Sequence, residues 1–149
     1  MTSTVLLGDN YLLWVSAIGA APPVYAVIQG QGTATINRSQ NKIATSSKTT
    51  QGYGTNAYGL IDLTIDLDIL PTLPDPTGYT QFETNCNAVP RTPFAIEIRK
   101  NGLAGVEADA IFSAVMYGSI TSTALTQAEK VQCKAQLALA AAPTVDALK

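Results

Sequence analysis

The stretch LIDLTIDLDI, residues 60–69, sets Ile61, Leu63, Ile65, Leu67 and Ile69 on one side of an extended chain and Asp62, Thr64, Asp66 and Asp68 on the other. Side chains two apart share a strand face, whereas helical periodicity would scatter these apolar residues around the axis. The segment is therefore a strand with one side against a core. Its other side carries three carboxylates uninterrupted by any basic residue, and successive positions on that face lie roughly 7 Å apart.

A row of acids admits several readings. Glycosidases place two carboxyls about 5–9 Å apart across a cleft, but nothing nearby supplies a cleft, an aromatic sugar platform or an electrophilic partner. Calcium needs six to eight converging oxygens, roughly, and a straight strand splays its carboxylates. A solvated outer sheet face is the plainest reading, and an ion-lined channel is another.

Strand and turn signals continue on both sides. Residues 10–19, NYLLWVSAIG, predict a first strand closed by Ala20-Ala21-Pro22-Pro23, and residues 24–29 a second, followed by GQG at 30–32 as a turn or bulge. Residues 33–47 predict one long, bent strand. KTTQGYGTNAYG, 48–59, is small, polar and glycine-rich with two tyrosines, and predicts a long exposed hairpin loop of the kind that is usually functional or disordered. Asp75-Pro76 predicts a helix start, Asp as N-cap and Pro first in the helix. Tyr79, Phe82, Cys86 and Val89 then recur at helical spacing over 76–88, with Gly78 weakening the helix.

PFAIEIRK, 93–100, predicts a strand, Asn101-Gly102 a turn, and 105–120 a long strand. The alanine-rich segment 129–141 invites a helix assignment. However, Val131, Cys133, Ala135, Leu137 and Leu139 alternate with Gln132, Lys134 and Gln136, and period two outweighs alanine propensity. The sum is about seven strands and one short helix: a mainly β (α+β) β-sandwich forming a single domain over 1–149.

The 149 residues suffice for one sizeable core. With 46% apolar and 13% charged residues, the chain is not disordered, and its surface must be small and polar or covered by neighbours. A net charge of −2 gives no support for phosphate-driven nucleic-acid affinity. The two cysteines, Cys86 and Cys133, could pair but form no disulfide framework or metal motif, and they read as buried thiols. No histidine is present, which removes the commonest general base and transition-metal ligand.

No serine is activated by a GxSxG or a nearby base, and Lys42 and Lys48 beside Ser46 and Ser47 carry no specificity. Gly52, Gly54 and Gly59 precede a strand, not a helix, so they do not read as a phosphate loop. Tyr53 and Tyr58 could mark a contact surface or simply fold back. MTSTVLLGDN is not a signal peptide, and no stretch approaches a membrane span. A soluble, cytoplasmically made protein is expected, with no cofactor, metal or enzymatic activity.

In the order of these parts the chain resembles the bacteriophage tail tube (major tail) protein family of long-tailed phages. A short hairpin opens the domain. A strand runs into the polar segment INRSQNKIATSSKTTQGYG, where family members carry a VTSKxxxG type of loop, and the amphipathic strand YGLIDLTIDLDI returns from it. A helix with an acidic start and hydrophobic strands follow, and VQCKAQLALAAAPTVDAL closes the chain as an alternating strand with a small-residue tail. The likeness spans nearly the whole chain and rests on layout, not on one motif.

The resemblance implies a small β-sandwich with a flanking helix, assembling as stacked hexameric rings whose inner strands close a β-barrel lumen; related folds occur in contractile-tail tubes and the type VI secretion tube. It implies that the loop 46–59 reaches the neighbouring ring, making Ser47, Lys48, Thr49, Thr50, Gln51, Gly52, Tyr53, Gly54, Thr55 and Asn56 inter-ring candidates. Arms at 1–9 and 142–149 would add contacts. Asp62, Thr64, Asp66 and Asp68 become candidates for lining the lumen, through which double-stranded DNA would pass without specific binding. The implied partners are further copies of the chain and tape measure, tail terminator and baseplate or distal tail proteins, and the implied location is the virion tail. A β-sandwich binding or adhesion module, pilin-like or carbohydrate-binding, is the competing reading; scattered aromatics speak mildly against it.

Overall fold

The computed structural model describes residues 3–148; Met1, Thr2 and Lys149, at the ends of the expected arms, lie outside the described residues. The strands are β1 (Leu12–Val15), β2 (Ala26–Val27), β3 (Gln31–Ala44), β4 (Asn56–Ile69), β5 (Phe94–Arg99), β6 (Ala110–Ala124), β7 (Gln132–Leu139) and β8 (Val145–Asp146), with one α-helix, α1 (Tyr79–Cys86). They form one antiparallel sheet in the order β2-β1-β5-β6-β7-β4-β3, and β8 pairs with β6 beside β7. This is the mainly β fold with a single short helix that the alternation predicts, with an eighth strand from the chain's end.

The sheet curls until its two ends meet. The Gln31 side chain, at the start of β3, accepts from the Leu13 N–H at 2.7 Å and donates to the Leu13 carbonyl at 3.1 Å. One apolar cluster fills the enclosed space, with Leu13 and Val15 from β1, Leu63, Ile65, Leu67 and Ile69 from β4, Ile96 from β5, Phe112 and Met116 from β6, and Leu137 from β7 all buried. Phe82 of α1, fully buried, plugs this space and meets Phe94 edge to face with ring centroids 6.1 Å apart. Burying such side chains, at roughly 1.5–3 kcal/mol each, is what holds the short helix.

Several boundaries differ from the sequence expectation for physical reasons. The first strand spans only Leu12–Val15, because Ala17–Ala20 forms a turn with Gly19 at φ 76°. The second is reduced to Ala26–Val27. The helix begins at Tyr79, not Pro76: Asp75 sits ahead of it, and its Oδ2 accepts from the Tyr79 N–H at 2.9 Å and the Gln29 N–H at 3.0 Å. Gly78 is therefore the N-cap and not a weak interior position. A Cβ there would stand 2.2 Å from Asp75 Oδ2 and 2.5 Å from the Val27 carbonyl oxygen, so only glycine lets that carboxylate close on the helix.

Asn101 and Gly102, both at positive φ, open a 3-10 turn at Gly102–Ala104 and not a tight hairpin, which delays β6 to Ala110. β7 is the strand its alternation predicts, with Cys133, Ala135 and Leu137 buried between exposed Gln132, Lys134 and Gln136, although Val131 lies outside it and is exposed. Both cysteines are buried free thiols. Gly118 on β6 leaves room for Cys86: a Cβ would sit 2.7 Å from Cys86 Sγ and 2.7 Å from Phe94 Cζ.

Candidate functional site: an acidic sheet face and a projecting arm

The register of β4 builds the acidic face. From Leu63 to Ile69 the odd positions are buried, and the even ones point away with Asp62 and Asp66 exposed and Thr64 and Asp68 half-buried. Ile61 departs from the expected core position, being 60% exposed. The reason lies in the ladder: β7 covers β4 only over Thr64–Ile69, whereas β3 accompanies it out to Asn56. Beyond residue 63 the hairpin has left the body.

Cross-strand neighbours on the acidic face are small and polar. Ser39, Asn37 and Thr35 of β3 stand opposite Asp62, Thr64 and Asp66, and Ala138, Gln136 and Lys134 of β7 stand opposite Thr64, Asp66 and Asp68. Asn37 Nδ2 donates to Asp66 Oδ2 at 2.8 Å. Lys134, opposite Asp68, is the one cation among the described residues paired directly against the row. No group of three or more His, Cys, Asp or Glu able to hold a metal ion occurs among the described residues. The acids stand in line and do not converge.

The arm is the remainder of β3 and β4. The expected loop over 46–59 is shorter than its composition suggests, since Asn56 already pairs with Ala44, Ala57 with Ile43 and Tyr58 with Lys42. Ser47 to Thr55 form the tip. A 3-10 turn at Lys48–Thr50 is capped by Ser47, whose Oγ accepts from the Thr49 N–H at 3.3 Å, while Ser47 N–H donates to Thr50 Oγ1 at 3.3 Å. Gln51 and Gly52 at positive φ turn the chain back. Thr55 N–H donates to Ser46 Oγ at 2.7 Å, and Thr45 N–H to the Thr55 carbonyl at 2.8 Å. The tip thus satisfies its own polar groups while leaving Ile43, Tyr53, Tyr58, Leu60 and Ile61 exposed on or near it. These exposed apolar side chains are spread over the arm, with Leu60 and Ile61, consecutive in β4, on opposite faces.

Besides the short end strand β2, two longer stretches of the same sheet carry no strand along one side. β3 has β4 on one side and is the last strand of the order, and β6 pairs with β5 only as far as Met116, so its residues 117–124 have β7 alone. At the other end of the chain, β8 continues along β6, and Asp146 forms an ion pair with Arg38 at 2.5 Å that ties the chain's end to the root of the arm.

A further cluster escapes sequence reading. Glu97 and Arg99 of β5 are buried and paired with each other, and Arg99 lies over the Trp14 ring at 4.5 Å and the Tyr25 ring at 5.4 Å. Burial raises the Tyr25 hydroxyl's pKa, although Ser113 and Arg99 counter it. The only trace in the sequence is the charge pair two apart in FAIEIRK, which looks like a solvated face. Burial lifts the Cys86 thiol to about 12, and Cys133 Sγ lies 3.2 Å from the buried Tyr79 hydroxyl, whose pKa burial also raises. No helix among the described residues is long and apolar enough to cross a membrane.

No protein-family model and no curated protein sequence matches the chain. Solved structures do, and they define the fold as one found in tail assemblies. A chain from the tail of an empty gene transfer agent (GTA) particle, refined with C6 symmetry, superposes with a TM-score of 0.70 at 12% identity, covering 96% of this chain and 100% of that one. The SPP1 tail tube gives 0.70 at 10% identity, covering 97% and 81%. A chain of the six-fold symmetrised anti-feeding prophage baseplate gives 0.63 at 8% identity, covering 99% and 100%.

Proposed function

We propose that this chain is a structural subunit of a phage-type tail tube, polymerising as stacked hexameric rings into a hollow conduit for DNA. The observation that carries this is the whole-chain likeness to tail components at a TM-score of 0.70. The two unpaired edges of β3 and β6 complement it. Edge strands invite pairing, and joining the β3 edge of one copy to the 117–124 edge of the next is a heterologous contact, which closes a ring when the rotation closes. The tail neighbours favour this reading over an adhesion module.

Within the ring, Asp62, Thr64, Asp66 and Asp68 line the lumen. The support is a polar, small-residue face with an acidic balance, which would repel phosphates and let DNA pass. Residues 47–56, the arm tip and the first residue of β4, reach the adjacent ring, supported by their position beyond the β7-covered part of β4 and by the exposed apolar side chains along the arm. The chain ends at 1–9 and 142–149 add contacts, and tape measure, terminator and baseplate or distal tail proteins cap or fill the tube in the virion.

Purified protein at rising concentration, viewed by negative-stain electron microscopy, is expected to form rings and tubes; a strictly monomeric protein at every concentration would refute the proposal. Deleting Thr49 to Thr55 should leave rings and fold intact but stop tube growth, and normal tubes from that variant would remove the inter-ring role.

A further inference from the structure

A groove of about 610 Å³ opens between the start of β1 and the root of β3. That is within the roughly 300–1,000 Å³ of sites that bury a drug-sized group. Tyr11, Leu13, Ile36, Ile98 and Ile111 give it an apolar floor, and Asp9, exposed, is its single charged lining residue. The arm has the opposite character. Residues 31–61 contain Arg38, Lys42 and Lys48 and no acid, so the segment carries +3 in a chain of net −2. Arg38 is engaged by Asp146, which leaves Lys42 and the tip residue Lys48 to meet a partner. In the same tip, Tyr53 is 77% exposed.

The tip cannot fill the groove of its own chain. Gln31 to Ile36 line the groove, whereas the β3–β4 ladder continues to Ala44↔Asn56 before the tip begins. The eight residue steps of strand from Ile36 to Ala44 hold the tip roughly 25 Å away. We infer that the arm tip of one copy seats in the Asp9 groove of a second copy, with Tyr53 entering the apolar floor and Lys48 facing Asp9. This rests on the tail-tube reading and adds to it the receiving surface. One exposed ion pair is weak, but six identical contacts per ring junction compound.

The test uses full-length protein and follows tube elongation by light scattering and electron microscopy. Lys48→Asp and Asp9→Lys should each slow elongation at least tenfold with melting unchanged, and the double variant should restore it, because the pair is reversed and not lost. Independently, Tyr53→Cys combined with Gly8→Cys should yield intermolecular disulfide ladders on oxidising assembled tubes, against a silent background since Cys86 and Cys133 are buried. Slowed growth in Lys48→Asp without rescue by Asp9→Lys, and without ladders, would overturn the groove while leaving the arm's inter-ring role standing. That is also the result expected if residues 5–7 of the same chain cover the groove. Normal tubes from both Lys48→Asp and the Thr49 to Thr55 deletion would instead overturn the arm's role itself.

Discussion

Replacing Asp62, Asp66 and Asp68 together by lysine tests the lumen assignment at the charge level. Along this part of the face three carboxylates stand against Lys134, so each chain presents a balance of −2 there and the proposed six-fold ring would present −12. The triple variant presents +4 per subunit and +24 per ring. The fold should tolerate it, because Asp62 and Asp66 are exposed and Asp68 half-buried, and the one hydrogen bond lost, from Asn37 to Asp66, is worth about 1 kcal/mol. Even 6–10 cationic contacts to phosphates make DNA affinity fall roughly 10³–10⁵-fold between 50 and 200 mM salt, and such a ring offers more cations than that. Assembled variant tubes incubated with short, labelled duplex DNA should therefore retain it at 50 mM salt and release it steeply by 200 mM, while wild-type tubes exclude it at both. In a phage carrying the variant, ejection should slow without loss of assembly. Variant tubes that form normally yet exclude DNA like the wild type would refute the reasoning, and the acids would then face outward.

Three stability predictions follow from the core. Gly118→Ala forces a methyl into contact with Cys86 Sγ and Phe94 Cζ; overpacking of this kind costs about 1–3 kcal/mol, so the melting temperature should fall by several degrees, and an unchanged value would mean that the β6–α1 contact is looser than described. Asp75→Ala strips two backbone N–H groups, of Tyr79 and Gln29, of their acceptor; the loss, about 1–3 kcal/mol, should appear as rapid amide exchange at the helix start in hydrogen-exchange spectra, and retained protection there would contradict the capping role. Cys86 should make the fold alkali-sensitive. Its thiol is raised from 9.0 to about 12 in the folded chain, so above pH 9 the unfolded state releases a proton that the folded state keeps, and stability declines as pH rises through this window. Tyr79 and Tyr25, also raised, act in the same direction. Thermal melts from pH 8 to 11 should show a falling midpoint, and a flat profile would contradict the burial of these groups.

Much of the fold was legible wherever one face is buried and the other wet. Period two identified β4 from Leu63 to Ile69 and β7 despite its alanines, because a half-buried strand writes its two faces into alternate residues. The signal failed where context, not pattern, decides. Ile61 continues the apolar phase of β4 yet is exposed, since the strand outruns its β7 neighbour, and no local pattern records where a neighbour ends. Residues 56–59 read as loop because Gly59 and small polar residues dilute the alternation in a two-stranded arm with no core beneath it. Asp75 was legible as a helix cap, but the helix starts later because its carboxylate reaches Tyr79 across Gly78. Glu97 and Arg99 look like a solvent-facing pair, and only tertiary packing with Trp14 and Tyr25 reveals them as buried. The acids of the candidate site were plain in the sequence, while the free edge of β3 and that of β6 over 117–124 emerge only from the strand order and register.

Electron cryomicroscopy of the purified protein's assembled state tests the central claim most directly. The account predicts a hollow tube of stacked six-subunit rings, β3 of each subunit paired to residues 117–124 of the next, and Asp62, Asp66 and Asp68 on the inner wall. A tube or oligomer without a lumen, or one closed through other strands with these acids on its outside, would contradict it.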